Sequence, residues 1–311
     1  MLLKGKIAFS SGRAGNYDIW TINLGDGVVS QLTAGKFSND CPRWSPDGKK
    51  LVFISNRTGT PELWIMDENG SNQVRITAKD KWHNTPDWSP DGKKIIFCAN
   101  YNGNINIYTI NPDGSDLKQI TDYEGMDYTP QFSPDGSKII FTSKRSGNPE
   151  IWQYIVSTGK ISQVTKYTGR DFAPRYSPDG KQIAFVTGIK AIDGREDLEI
   201  YTMNEDGSNI KRATTHFGSD RHVSWSPEGK YLIYTSAKGE SLTERMMVTE
   251  IASLRTREIK FDRYKLDMEF DAEPKNYMRV FPLNLLPIDL IRNWFYPIDY
   301  FGSDKSPDWK Y

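Results

Sequence analysis

Six polar residues occupy one recurring position along the 311-residue chain: Asn39, His83, Asp127, Asp171, Asp220 and Asp304. Each lies three residues ahead of the place where a proline usually stands, in a loop leading to an aromatic anchor. Four are carboxylates, which would repel one another at close range unless a cation or a basic group neutralised them. Hard oxygen ligands of this kind suit calcium or magnesium. Asp127, Asp171, Asp220 and Asp304 are therefore a candidate metal set, with calcium in a central channel as the candidate occupant and no cofactor required. The preferred reading is plainer: each carboxylate accepts backbone N–H bonds in its own turn. Arg43 and Arg175, each directly before an aromatic anchor, would bring positive charge to the same region. A second set, Arg13, Arg57 and Arg145, sits in Ser-x-Arg-x-Gly loops with Asp18, Glu62 or Glu150 five residues on. An ion pair stiffening each loop is preferred there, and a carboxylate-binding rim is the alternative.

Signals for catalysis are few. The sequence has no Gly-x-Ser-x-Gly elbow, no His-Glu-x-x-His and no Cys-x-x-Cys. Of its three histidines, His83 holds the ring position, while His216 and His222 share a connecting loop. A histidine among carboxylates could serve a metal-assisted lyase or hydrolase, but structural histidines are the preferred reading. Cys41 and Cys98 fall in strands of neighbouring repeats at non-equivalent positions, which argues against a disulfide and for two buried thiols. With 40 basic and 40 acidic residues, the chain lacks the basic excess expected of a nucleic-acid binder. It has no apolar run long enough to span a membrane. Its start, Met1-Leu2-Leu3-Lys4-Gly5-Lys6, is too short and polar for a secretory signal.

What would position these residues is a repeat. Trp44-Ser45-Pro46-Asp47-Gly48-Lys49 recurs at Trp88–Lys93, Phe132–Gly136, Tyr176–Gly180 and, with Glu228 for the aspartate, Trp225–Gly229. The anchors are 44, 44, 44 and 49 residues apart, a period that belongs to propeller blades. Proline presets the second turn position and glycine accepts positive φ at the fourth, giving a tight hairpin. An apolar strand such as Leu51-Val52-Phe53-Ile54 follows, then a Gly-containing loop, a third strand, a second turn and a short fourth strand ending in threonine. The reading is an all-β, six-bladed propeller of four-stranded antiparallel blades in a single domain, 1–311.

The chain ends complete the expectation. Ser306-Pro307-Asp308-Trp309 matches an inner strand, and its missing second strand is found at Lys6-Ile7-Ala8-Phe9. The blades are expected at about 1–33 plus 305–311, 42–77, 86–121, 130–165, 174–214 and 223–298. Pairing the C-terminal strand with the first blade would close the ring and cover an open edge. The interval from Trp225 to Trp309 is 84 residues, so the sixth blade is read as carrying an insertion at about 263–295. A seventh, eroded blade is the alternative. The apolar stretch 281–297 within it is broken by prolines and is expected to fold against the propeller; a partner or membrane-surface patch is the alternative.

These repeats resemble the TolB-like propeller family, a relative of the WD-repeat propellers, over nearly all of 1–240 and again over about 296–311. The resemblance implies six blades and a protein-docking platform of the bacterial cell envelope. It also implies a periplasmic or other extracytoplasmic location if a signal peptide has been removed, and a cytoplasmic one otherwise. The first blade begins at once, without the founding member's separate N-terminal domain. Similar propellers occur as modules of peptidases and polysaccharide lyases, so the fold does not fix the function.

Strand alternation puts the Ser-Pro-Asp-Gly turns on one face and the loops with the more varied chemistry on the other. That second face is expected to carry the site. Its rim would comprise the six ring residues, Arg43, Arg175, Trp82, Tyr128 and Phe172, with Tyr17, Tyr101, Tyr123 and Tyr167 as further exposed aromatics. A long loop at 188–199, carrying Lys190, Asp193, Arg195, Glu196 and Asp197, would rise above it. The leading expectation is a monomeric, non-enzymatic platform that binds a protein or peptide over the channel mouth. The alternative is a carbohydrate-active or other metal-assisted propeller enzyme.

Overall fold

A computed structural model of the chain describes residues 5–12, 14–78, 81–166, 169–190, 196–214, 219–237, 244–261, 266–267 and 278–279. Six sheets form six blades, and no helix occurs among the described residues. Blade two shows the plan: an inner strand Asn39–Trp44, then Lys50–Ser55, Glu62–Asp67 and the outer pair Val74–Arg75, each antiparallel to the last. Blades three, four and five repeat it from Trp82–Trp88, Asp127–Phe132 and Arg170–Tyr176. Blade six starts at Ser219–Trp225, completes four strands at Thr256–Phe261, and adds a fifth, Leu266–Asp267.

Blade one contributes Lys6–Ser11, Asp18–Asn23 and Val29–Gln31. Along the free edge of its first strand runs Met278–Arg279, in parallel register with Ile7 and Ala8. The expected closing strand, 305–311, and the apolar stretch 281–297 lie outside the described residues. The ring nonetheless closes by packing, because Ile233, Met246 and Val248 of blade six share a core with Ile7, Phe9, Trp20 and Ile22 of blade one.

The repeat explains the packing. The second strand of every blade places one large ring at the same register: Phe9, Phe53, Phe97, Phe141, Phe185 and Tyr234, all essentially fully buried. Burying such a side chain contributes about 1.5–3 kcal/mol. The hairpin turns also touch around the ring. Gly92, Gly136, Gly180 and Gly229 each face the proline of the preceding blade's turn, Pro46, Pro90, Pro134 and Pro178. Within each turn, Ser45 Oγ donates to Asp47 Oδ1 at 2.6 Å and accepts from Lys50 N at 2.9 Å.

A second recurring device fastens the third strand. A polar residue of this strand is followed, fifteen positions later, by a threonine: Asp18 and Thr33, Asn106 and Thr121, Glu150 and Thr165, Glu199 and Thr214. The threonine Oγ1 donates to that side chain, at 2.9, 3.2, 2.5 and 2.8 Å. It also accepts the backbone N–H of the next strand residue, at 2.8 to 3.1 Å. A buried carboxylate or amide at this position is thus satisfied inside its own blade.

The inner strands of blades two to six each carry a bulge. Cys41, Thr85, Thr129, Ala173 and His222 have φ between 47 and 57°, and the pairing register shifts around each. No glycine fills these left-handed positions. Side chains there cost of order 1–3 kcal/mol each and persist because the surrounding structure over-determines them. The bulge turns the residue two positions on, directly before the aromatic anchor, towards the central channel.

Candidate ligand site in the central channel

A cavity of about 430 Å³ opens at the channel end ringed by the Ser-Pro turns. Five blades supply equivalent residues to its wall. At the position before the aromatic anchor stand Arg43, Asp87, Gln131, Arg175 and Ser224. The anchors Trp88, Phe132, Tyr176 and Trp225 back them, and Pro46, Pro90, Pro134, Pro178 and Pro227 form a collar at the mouth. The volume falls within the roughly 300–1,000 Å³ of small-ligand sites, and the lining has their character: apolar walls with a few fixed polar groups.

The polar groups are held by neighbouring blades. Trp88 Nε1 donates to Arg43 O at 3.1 Å, and Trp225 Nε1 donates to Arg175 O at 3.0 Å. Both arginines are buried, at 3% and 4% exposure. Arg175 Nη1 donates to Pro174 O at 2.8 Å. Asp87 Oδ1 accepts the backbone N–H of Trp88 at 2.9 Å. Gln131 Oε1 accepts from Tyr176 N at 2.7 Å, which fixes the orientation of its amide.

In the inner strand of blade six, burial, reinforced by the positive charges of Arg221, Arg43 and Arg175, pushes His222 down to about 3. Its stabilising effect is present above the unfolded value of 6.5 and is lost as pH falls towards 3. Asp40 behaves oppositely. Burial pushes it up to about 7 from 3.8, so its effect is present below 3.8 and lost as pH rises through about 7. His222→Asn keeps a residue that tolerates positive φ. It is expected to flatten the acid limb of the melting-temperature profile between pH 6.5 and 3, while Asp40→Asn should flatten the opposing slope between pH 4 and 7. Calorimetric melting across pH checks both; acid limbs superimposable on wild type would refute the assignment to His222.

The ring residues go elsewhere. Asn39, His83, Asp127, Asp171 and Asp220 are all buried, at 0 to 2% exposure. They sit at the joints between blades and form no open polar ring; Asp304 lies outside the described residues. The backbone N–H groups of Asn39, His83 and Asp171 donate to Tyr17 O, Pro61 O and Pro149 O of the preceding blade. Asn39 Nδ2 reaches Asp18 Oδ1 at 3.0 Å, His83 contacts Pro61 O and Tyr101 Oη, and Asp127 takes Arg145 at 2.5 Å. Burial raises Asp171, opposed by hydrogen bonds from Thr187 and Thr165. Among the described residues, no three histidine, cysteine or acidic side chains are disposed to hold a metal ion.

The loop arginines differ from expectation too. Arg57 and Arg145 do not pair with the acids five residues on. Ser55 and Ser143 lie in register with Asn39 and Asp127, so an arginine two residues later folds back onto that inner-strand position. Arg57 Nη2 donates to Asn39 at 2.9 Å, and Glu62 is met by Arg75 at 3.4 Å. Arg13 is outside the described residues. Of the aromatics expected on the rim, Tyr17, Tyr128 and Phe172 are buried, the last two in an interblade core with Val186, Ile200 and Trp225. Trp82, Tyr101 and Tyr123 are half-buried, and Tyr167 is not among the described residues. Cys41 and Cys98 are buried free thiols.

Of the expected rim, Arg43 and Arg175 thus line the cavity, on the face opposite to the one anticipated. Asp87, Gln131 and Ser224 were missed. A signal for them existed: one position varies as Arg, Asp, Gln, Arg and Ser beside an aromatic-Ser-Pro sequence that hardly changes.

A model of the TolB β-propeller domain matches residues 4–100, 82–187 and 155–256. TolB from Acinetobacter baumannii is 23% identical with a TM-score of 0.74, over 89% of this chain and 67% of that one. A TolB-designated protein from Agrobacterium tumefaciens is 22% identical with a TM-score of 0.66, over 76% and 86%. An oligogalacturonate lyase in complex with manganese is 19% identical with a TM-score of 0.55, over 83% and 74%. These structural likenesses show a shared fold. No curated protein matches the chain. No described helix is long and apolar enough to cross a membrane.

Proposed function

The chain belongs to the TolB β-propeller domain family, and on that premise we propose that it is a non-enzymatic docking platform whose ligand, a protein or peptide, enters the channel among the Ser-Pro turns. One observation carries this reading. Five blades present the same wall position on nearly identical scaffolds, yet the side chains there are Arg43, Asp87, Gln131, Arg175 and Ser224. A structural role repeated five times has no need of four different chemistries, whereas a ligand without sixfold symmetry needs different partners around it. The remainder of the motif builds the support: anchors that lock the backbone and prolines that frame the mouth. A TolB-like role would place the protein outside the cytoplasm and work as a monomer.

The test obstructs the mouth and leaves the wall intact. Pro134 and Pro178 are exposed at the collar. A Pro134→Arg/Pro178→Arg variant is expected to bind a partner recovered with the wild type at least about tenfold more weakly, while keeping its melting temperature. Asn102→Arg, on the opposite face, should bind as wild type does. Affinity lost in Asn102→Arg and retained in the collar variant would move docking to the other face and end this reading.

A further inference from the structure

Blades two and five of a six-bladed ring face each other across the axis, as do blades three and six. Only the closed ring reveals what this does to the wall. Arg43 and Arg175 come from blades two and five, so the two guanidinium groups approach the axis from opposite sides. The tryptophans that lock their carbonyls, Trp88 and Trp225, belong to blades three and six. The cavity therefore has an approximate twofold character, Arg-Trp opposite Arg-Trp, although its frame is sixfold. Both arginines stand directly before the aromatic anchor of their blade and line the same cavity, which places both charges near one level of the channel.

The charges in the cavity wall are Arg43, Arg175 and Asp87, a net single positive charge. The remaining groups are a hydroxyl, Ser224, and an amide, Gln131, whose oxygen is already engaged by Tyr176 N and whose N–H₂ is left to donate inward. Around this donor-rich centre lie the faces of Trp88, Phe132, Tyr176 and Trp225 and the proline collar. A matching ligand has one negative group at its tip, slender apolar substituents behind it, and entry along the axis. Arginine forks suit a carboxylate in particular.

We propose that the channel captures the free C-terminus of an extended peptide, with its α-carboxylate held between Arg43 and Arg175 and its last side chains against the aromatic wall and the proline collar. This rests on the docking reading above and names the chemical end that the platform recognises. An acidic side chain presented from the middle of a chain is the competing source of the same carboxylate.

The test uses the full chain and two arrays of the same random peptides, one ending in free carboxylates and the other in amides. Binding is expected in the free-acid array, with amidation weakening the selected sequences at least about tenfold on wild-type protein. Arg43→Gln and Arg175→Gln should each reduce binding to a similar degree. Arg175→Lys, which keeps the charge and loses the fork, should fall between the wild type and Arg175→Gln, and melting curves identify any variant that has not folded. The wild-type comparison of acid with amide needs no variant. Equal binding to both arrays, selection of internal Asp or Glu regardless of the terminus, or no binding in either array would overturn the proposal. If the collar variant loses its protein partner while amidated peptides bind as well as free acids, only this inference fails. If the collar variant keeps its partner, the docking reading fails as well.

Discussion

Arg145→Ala is expected to lower the folding free energy by about 3–5 kcal/mol, because it strands a buried carboxylate. Asp127 is 0% exposed, and Arg145 Nη2 meets its Oδ2 at 2.5 Å. The same arginine donates from Nε to Ser143 Oγ at 2.9 Å, and its guanidinium lies 5.0 to 5.5 Å from the ring centres of Tyr123, Trp152 and Phe141. It therefore contributes packing and cation–π contact as well as charge. Two companions separate these terms. Asp127→Asn in the Arg145→Ala background should restore much of the loss, since no charge remains to be paired. Arg145→Met/Asp127→Asn, which also restores apolar contact over the rings, should recover more. Urea unfolding measures all three. A loss below about 1 kcal/mol in Arg145→Ala would mean that water reaches Asp127 and that the joint is not closed as described.

Gly207→Ala should cost about 2–5 kcal/mol, the second large effect. Gly207 has a φ of 85°, and a Cβ there would lie 2.6 Å from Val164 O of the preceding blade. The added methyl meets two penalties: a left-handed backbone, about 1–2 kcal/mol, and overpacking against a main-chain oxygen, about 1–3 kcal/mol. The carbonyl belongs to the outer part of blade four and cannot yield without shifting that strand. Gly103 is the control. Its φ is 92°, and nothing lies within 4 Å of its would-be Cβ, so Gly103→Ala should show only the backbone penalty. Gly70 and Gly114 meet Leu32 O and Ile76 O in the same way, at 2.6 and 2.9 Å. Equal losses in Gly207→Ala and Gly103→Ala would show that the turn is not wedged against its neighbour.

The same distinction separates what could be read early from what could not. The four-strand plan was legible because it rests on local chemistry: proline and glycine at fixed turn offsets, alternating apolar runs, and an interval close to one blade. The six blades followed from that interval. The site was legible only in part. Arg43 and Arg175 are legible as positive charge brought to a region otherwise rich in acids, whereas Asp87, Gln131 and Ser224 read as ordinary strand residues. The conspicuous acids Asp127, Asp171 and Asp220 are buried and do not line the cavity. Their exposure depends on which side of the inner strand they occupy, and the bulge at Cys41 and its equivalents changes that alternation. Cysteine, threonine, alanine and histidine do not advertise a left-handed backbone, so the bulge carried no local signal.

What the sequence determined by itself, then, is the repeat and the family it belongs to, because turns and strand periodicity depend on residues close together in the chain. The positions of Asn39, Asp127 and their equivalents, buried in joints between blades, were decided by the tertiary structure. So was the meeting of Arg43 with Arg175 across a channel ringed by Ser-Pro turns. Those relations join residues one to three blades apart, and only a closed ring fixes which of them stand side by side and which stand opposite.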